Sequence, residues 1–165
     1  MLTRIIPSLL LAIFLNACVT TGKAHLQAQV LRGYEFMLAS DYDSLCGMLS
    51  PDAALHGADG KVVTREQLCK LAEQVKALKA GTLPEAEAKR LQEFLVRRQL
   101  WAKRAMESII FSSTIISGDL ATVATLDYAT PGQEETSIYT FEKTGGVWKL
   151  RKEVSTQHTQ PVIRK

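Results

Sequence analysis

Three histidines and three cysteines are the side chains of this 165-residue chain best suited to metal or redox chemistry. Their spacing supports neither role as a ligand set. His25, His56 and His158 stand far apart and isolated, whereas a metal needs His, Cys or carboxylate ligands that converge at recognisable intervals, so the sequence predicts no metal site and no cofactor. No acid is placed beside His56 to make it a general base, and no catalytic residue is assigned. Arg90, Arg97 and Arg104 recur at heptad intervals and drift along one side of a helix, with Lys89, Arg98 and Lys103 nearby. Such a face is a candidate contact for anionic lipid headgroups or lipopolysaccharide phosphates, each near-surface cation adding about 1 kcal/mol. Glu85, Glu87 and Glu93 dilute it toward an ordinary solvated face. The formal charge of +3 is too small to imply a nucleic-acid partner.

The elements that would position these residues can be read from hydrophobic spacing. Leu26, Val30, Tyr34, Met37 and Leu38 predict a helix over 24–40, and Asp41 is placed to cap a second, short one ending near Met48. Ser50-Pro51-Asp52 reads as a break, 53–57 as a short strand, and Ala58-Asp59-Gly60-Lys61 as a tight turn. Thr64-Arg65-Glu66-Gln67 is a capping box ahead of a helix lined by Leu68, Leu71, Ala72, Val75 and Leu78. Thr82-Leu83-Pro84-Glu85 repeats the pattern before a longer helix, 84–105, with Leu91, Phe94, Leu95, Trp101, Ala102 and Ala105 on its apolar face. From Ser108 onward the texture is β: 108–117, 120–128, 136–143 and 147–156 predict four strands of an antiparallel meander, and 157–165 reads as a polar tail. Helices followed by a sheet, with 46% apolar residues, indicate one α+β domain.

The N-terminus has a separate logic. Arg4 precedes a short, nearly uncharged apolar run that is too short for a bilayer needing roughly 20 such residues, so it reads as a leader. Leu15-Asn16-Ala17-Cys18 follows, and this resembles the lipobox of bacterial lipoproteins. The resemblance implies a signal peptide over 1–17, cleavage before Cys18, acylation of that cysteine with diacylglycerol and fatty acid such as palmitate, and a tether over 18–23. Val19 rather than Asp after the cysteine implies sorting to the outer membrane of a Gram-negative host, with the domain facing the periplasm. In that oxidising compartment Cys46 and Cys69 are candidates for a disulfide if the second and third helices bring them together. Two buried thiols are the alternative.

From about Ala24 to Thr156 the chain resembles the nuclear-transport-factor-2-like (NTF2-like) superfamily, including its SnoaL-like members. The stretches that carry this are Leu49-Ser50-Pro51-Asp52-Ala53-Ala54-Leu55-His56-Gly57-Ala58-Asp59-Gly60-Lys61, Ile116-Ser117-Gly118-Asp119-Leu120, and Gly145-Gly146-Val147-Trp148-Lys149-Leu150. The resemblance implies N-terminal helices packed on a curved antiparallel sheet of four to five strands, a cone with a cavity between the two layers. Tyr34, His56, Tyr128 and Tyr139 become the candidate pocket residues. It also implies one of two roles: a non-catalytic binding or envelope-assembly module for a small apolar ligand or protein partner, or a small isomerase- or hydrolase-type enzyme. A homodimer through the sheet is a further expectation.

Overall fold

The computed structural model describes residues 6–159, with side chains described over 21–158. The first helix, α1 (Ile6–Leu38), buries Leu26, Val30 and Tyr34, which lie one turn apart and so form a single stripe toward the sheet. It starts before the predicted residue 24. Thr21, Gly22 and Lys23 are therefore helical, not a free tether, and Gly22 passes so close to the sheet that a Cβ there would lie 3.1 Å from Ile116 Cδ1. The leader's side chains and that of Cys18 lie outside the described residues. Among the described residues no helix is long and apolar enough to cross a membrane.

Ser40, in the left-handed region at φ 50°, turns the chain, and the Asp41 carboxylate caps α2 (Tyr42–Met48) by accepting from Ser44 N at 3.1 Å and Ser44 Oγ at 2.7 Å. Strand β1 (Leu49–His56) begins at Leu49 and so includes the predicted break. Pro51 is tolerated because β1's pairing register shifts between Leu49 and Ala54, where a bulge needs no donor from the ring nitrogen. A turn with Gly60 at φ 76° leads to the short β2 (Val62–Thr64). Both bonds of the predicted capping box form at the start of α3 (Arg65–Lys79): Gln67 N donates to Thr64 Oγ1 and Thr64 N to Gln67 Oε1. The second predicted cap does not form. Thr82 Oγ1 donates back to Ala77 O and closes α3, while α4 (Glu85–Ser108) starts behind Pro84 with no side-chain cap.

The strands β3 (Ile110–Ser117), β4 (Leu120–Asp127), β5 (Gln133–Thr144) and β6 (Val147–Thr159) form the expected meander. The sheet is larger than expected and mixed. Six strands run in the order β2-β1-β6-β5-β4-β3, because β1 pairs parallel to β6 and antiparallel to β2. β6 also runs past residue 156: Gln157, His158 and Thr159 pair with Glu135, Glu134 and Gln133, which draws the start of the expected tail into the sheet. Helices cover one face of this curved sheet, giving the α+β cone.

Two apolar clusters make the interior. One packs α1 and α4 on the central strands through Leu26, Val30, Ala102, Ala105, Val123 and Phe141. The other joins α2, α3 and β1 through Tyr42, Leu45, Leu49, Leu68, Ala72 and Val75. Between them α1, α2, β1, α3, α4 and the inner face of β5 and β6 leave a space.

Candidate functional site

That space is a partly enclosed cavity of about 400 Å³. Most of its wall is apolar: Met37, Leu45, Leu49 and Leu55 on one side, Leu68 and Leu71 from α3, Phe94 and Trp101 from α4. Ligand sites have this character, with a few placed polar groups fixing orientation. The β1–β2 turn reaches its rim through Asp59 and Lys61, which form an exposed 2.8 Å ion pair.

The polar groups come from α1 and the sheet. Tyr34 projects from the buried stripe of α1, and its hydroxyl lies 2.8 Å from that of Tyr139 on β5. Tyr139 faces inward by strand alternation, as do Glu135, Ser137 and Phe141 on the same strand. Its direct cross-strand partner is Glu153 on β6, which sets the Glu153 carboxyl near enough to the Tyr139 hydroxyl for each to influence the other's proton. Tyr34, Tyr139 and Glu153 thus form a chain of three groups in the cavity wall. Around it, Ser155 Oγ donates to Glu153 at 3.4 Å and lies 2.7 Å from Ser137 Oγ, while Gln157 Nε2 donates to Glu135 at 3.0 Å.

The charges respond to this setting. Burial, aided by the nearby Glu135 carboxylate, pushes Glu153 up to about 7, against the lowering influence of the Tyr139 hydroxyl. Burial and the Glu153 charge hold both tyrosines well above the ordinary phenol range, so they are neutral donors. A carboxyl that exchanges its proton near neutrality beside two neutral phenols can bind an oxygen-bearing group or move a proton on it.

Of the four predicted pocket residues, the structure brings Tyr34 and Tyr139 together. The other two lie elsewhere. His56 follows Leu55 on β1, and alternation turns it away from the cavity that Leu55 lines. Tyr128 sits beyond β4, well exposed, donating from its hydroxyl to Glu134 Oε2 at 3.2 Å and from its backbone N to Ser108 Oγ at 3.0 Å. Arg90, Arg97 and Arg104 are exposed on α4, away from the cavity. Cys46 and Cys69 form a disulfide with Cα atoms 5.4 Å apart, bolting α2 to α3 directly behind the cavity residues Leu45 and Leu68. Helix α4 supplies a wall through Phe94, Arg98 and Trp101.

Sequence reasoning missed Glu153, Glu135, Tyr42 and Arg98. The signal was present in part, because Glu135 lies two alternations before Tyr139 and so on the same face. For Glu153 it was masked by a register shift between Thr140 and Phe141, which breaks the simple alternation along β6.

The fold has solved counterparts. The chain is similar to an NTF2-like protein with a cystatin-like fold from Novosphingobium aromaticivorans (TM-score 0.56, 11% identity, 98% of this chain and 95% of that one). It is similar to an NTF-2 like protein of unknown function from Silicibacter pomeroyi (TM-score 0.54, 14% identity, 85% and 98%). An NTF2-like protein from Cytophaga hutchinsonii gives a TM-score of 0.51 at 14% identity over 82% and 98%. No family model matches the chain, and no curated protein matches it. At these identities the likeness is one of fold, and the fold is the NTF2-like cone.

Proposed function

We propose that this chain is a lipid-anchored envelope protein whose cone binds a small, mostly apolar molecule by an oxygen-bearing end. The observation that carries the binding reading is the Tyr34–Tyr139–Glu153 chain set in an otherwise apolar cavity of about 400 Å³. These groups pair with one another, and a ligand oxygen among apolar walls has them as its hydrogen-bond partners. The anchor rests on the Leu15-Asn16-Ala17-Cys18 resemblance. With Thr21–Lys23 wound into α1, the domain rides close to the headgroups, since helix rises only about 1.5 Å per residue. A second copy docking on the sheet's outer face, where Ile115, Ile138 and Val154 are exposed, is part of the same proposal. So is contact of the α4 cations with anionic lipid, or of the domain with another envelope protein.

Native mass spectrometry of the detergent-extracted protein from its own host reads acylation, oligomer and retained ligand in one spectrum. We expect a lipidated Cys18 and a bound small molecule that is lost in Leu55→Trp, which fills the cavity. An unmodified Cys18 on a secreted chain sinks the anchor. A ligand-free parent, able to take up no apolar compound, sinks the pocket.

One observation favours a second reading, a proton-transfer enzyme of the isomerase or hydrolase kind. Glu153, held near 7, suits an acid or base at neutral pH, and the two phenols are placed to stabilise an oxyanion. As base, its carboxylate takes a proton from the carbon next to a carbonyl. The resulting enolate oxygen accepts from a tyrosine, and the carboxyl returns the proton. Exchange of a bound ketone's α-protons for deuterium, abolished by Glu153→Gln, distinguishes this from binding alone.

A further inference from the structure

Besides the tyrosine chain the cavity is lined by a second polar group of a different kind. Tyr42, at the start of α2, is 4% exposed, lines the cavity, and its hydroxyl has no hydrogen-bond partner among the described residues. An unpaired buried hydroxyl is a standing cost, and a ligand acceptor is the group that would relieve it. Arg98, one turn along α4 from Phe94, is an exposed residue that also lines the cavity, which places it at the rim. Its guanidinium stacks at 5.7 Å over the Phe94 ring and 5.8 Å over the Trp101 ring. It takes part in none of the ion pairs found among the described residues. Its positive charge acts, weakly, on both the Tyr42 hydroxyl and the Glu153 carboxyl.

The position is held from outside. Gln99, the next residue, donates through Nε2 to Leu38 O at 3.0 Å and Ser40 Oγ at 3.1 Å, pinning α4 to the corner from which Tyr42 emerges. The guanidinium lies near two aromatic rings and is in none of the side-chain hydrogen bonds or ion pairs found among the described residues, and its fork of N–H donors suits a carboxylate.

Resting on the pocket reading above, we propose that the ligand is an anionic amphiphile, an apolar body whose carboxylate or similar oxyanion is received by Arg98 and the Tyr42 hydroxyl. The apolar body fills the space walled by Leu45, Leu55, Leu68 and Leu71. Any further oxygen on it meets Tyr34 and Tyr139.

Matched probes test this: decanoate against decan-1-ol, and 2-naphthoate against 2-naphthol. They are titrated at pH 7.5 into the full chain in phosphatidylcholine nanodiscs, with empty nanodiscs as the blank. In at least one pair the acid should bind about ten-fold tighter than its neutral partner. Arg98→Gln should remove that preference and leave the neutral probe unchanged, Tyr42→Phe should remove about half of it on a logarithmic scale, and Arg97→Gln should do nothing. Equal binding of acid and neutral probes in both pairs, still blocked by Leu55→Trp, overturns the anionic ligand and leaves the pocket standing. Equal weakening of both members by Arg98→Gln overturns it as well. Binding of no probe overturns the pocket reading along with it.

Discussion

The two halves of the cone are built from the same two long helices and differ in what those helices present. Toward β4, α4 shows Ala102 and Ala105, both fully buried, and α1 shows the fully buried Leu26, so helix and sheet close on each other there. Toward α2 and α3, the same helices show Tyr34, Phe94, Arg98 and Trp101, and large side chains hold the layers apart around the cavity. Small residues make a core and large ones make a site. The difference teaches where mutation should be felt: in the closed half every methylene has neighbours on all sides, while in the open half one side already faces empty space.

The largest expected effect follows from that contrast. Leu26→Ala, in the closed half, should cost about 3 kcal/mol in urea unfolding, whereas Leu71→Ala, on the cavity wall, should cost about 1. Equal costs would mean that the cavity is filled by side-chain movement and the two halves are alike. Next comes the bolt on the open half. Removing the Cys46–Cys69 link, 23 residues apart in sequence, with paired serine substitutions should cost about 3 kcal/mol in the chain-entropy account, shared between halves by cooperative unfolding. Probe binding in the double variant should weaken beyond what the stability loss explains, since Leu45 and Leu68 sit beside the bridge.

A smaller effect depends on pH. The Glu153 proton is held more tightly in the folded chain than in the unfolded one, so its contribution is fully favourable below about 4.5 and is lost as pH rises through about 7. Glu153→Gln should therefore match the parent in thermal melts at pH 4 and exceed it at pH 8, by a Tm gain on the order of 5 °C. A gap independent of pH would place the carboxyl in water and take it out of the site.

The same contrast explains what could be read in advance. The helix-on-sheet packing was legible because one rule decides each layer: Leu26, Val30 and Tyr34 repeat at helical spacing along α1, and β4 alternates strictly from Ala121 to Asp127. Thr64 and Gln67 announced α3 through a local reciprocal bond that needs no tertiary context. The parallel β1–β6 pair was invisible, since it joins Leu49 to Leu150 across the chain and no local pattern encodes register at that distance. Thr82 misled because a hydroxyl beside a helix boundary can serve the helix behind it as well as the one ahead. Half of the site, Tyr34 and Tyr139, was named through the superfamily resemblance, alongside His56 and Tyr128, which do not line the cavity. The other half needs the cross-strand register that sets Glu153 beside Tyr139 and the packing that brings Arg98 toward Tyr42, and both are long-range facts.

The finest test of the comparison uses two hydroxyls that share one defect. Thr125, on β4 in the closed half, is fully buried and its Oγ1 has no partner among the described residues, and the Tyr42 hydroxyl is in the same condition in the open half. Either hydroxyl, left unpaired out of water, opposes folding by about 1 kcal/mol, so Thr125→Val and Tyr42→Phe should each raise stability by about that much. Their shapes nearly match the residues they replace, which keeps packing out of the comparison. Function should then separate them. Thr125 faces no space a ligand can enter, so Thr125→Val should leave the binding of every probe unchanged. Tyr42 lines the cavity, so Tyr42→Phe should give up affinity for acidic probes as it gains stability. If both variants bind as the parent does, the Tyr42 hydroxyl is a packing defect like that of Thr125, and the open half is distinguished by its volume alone.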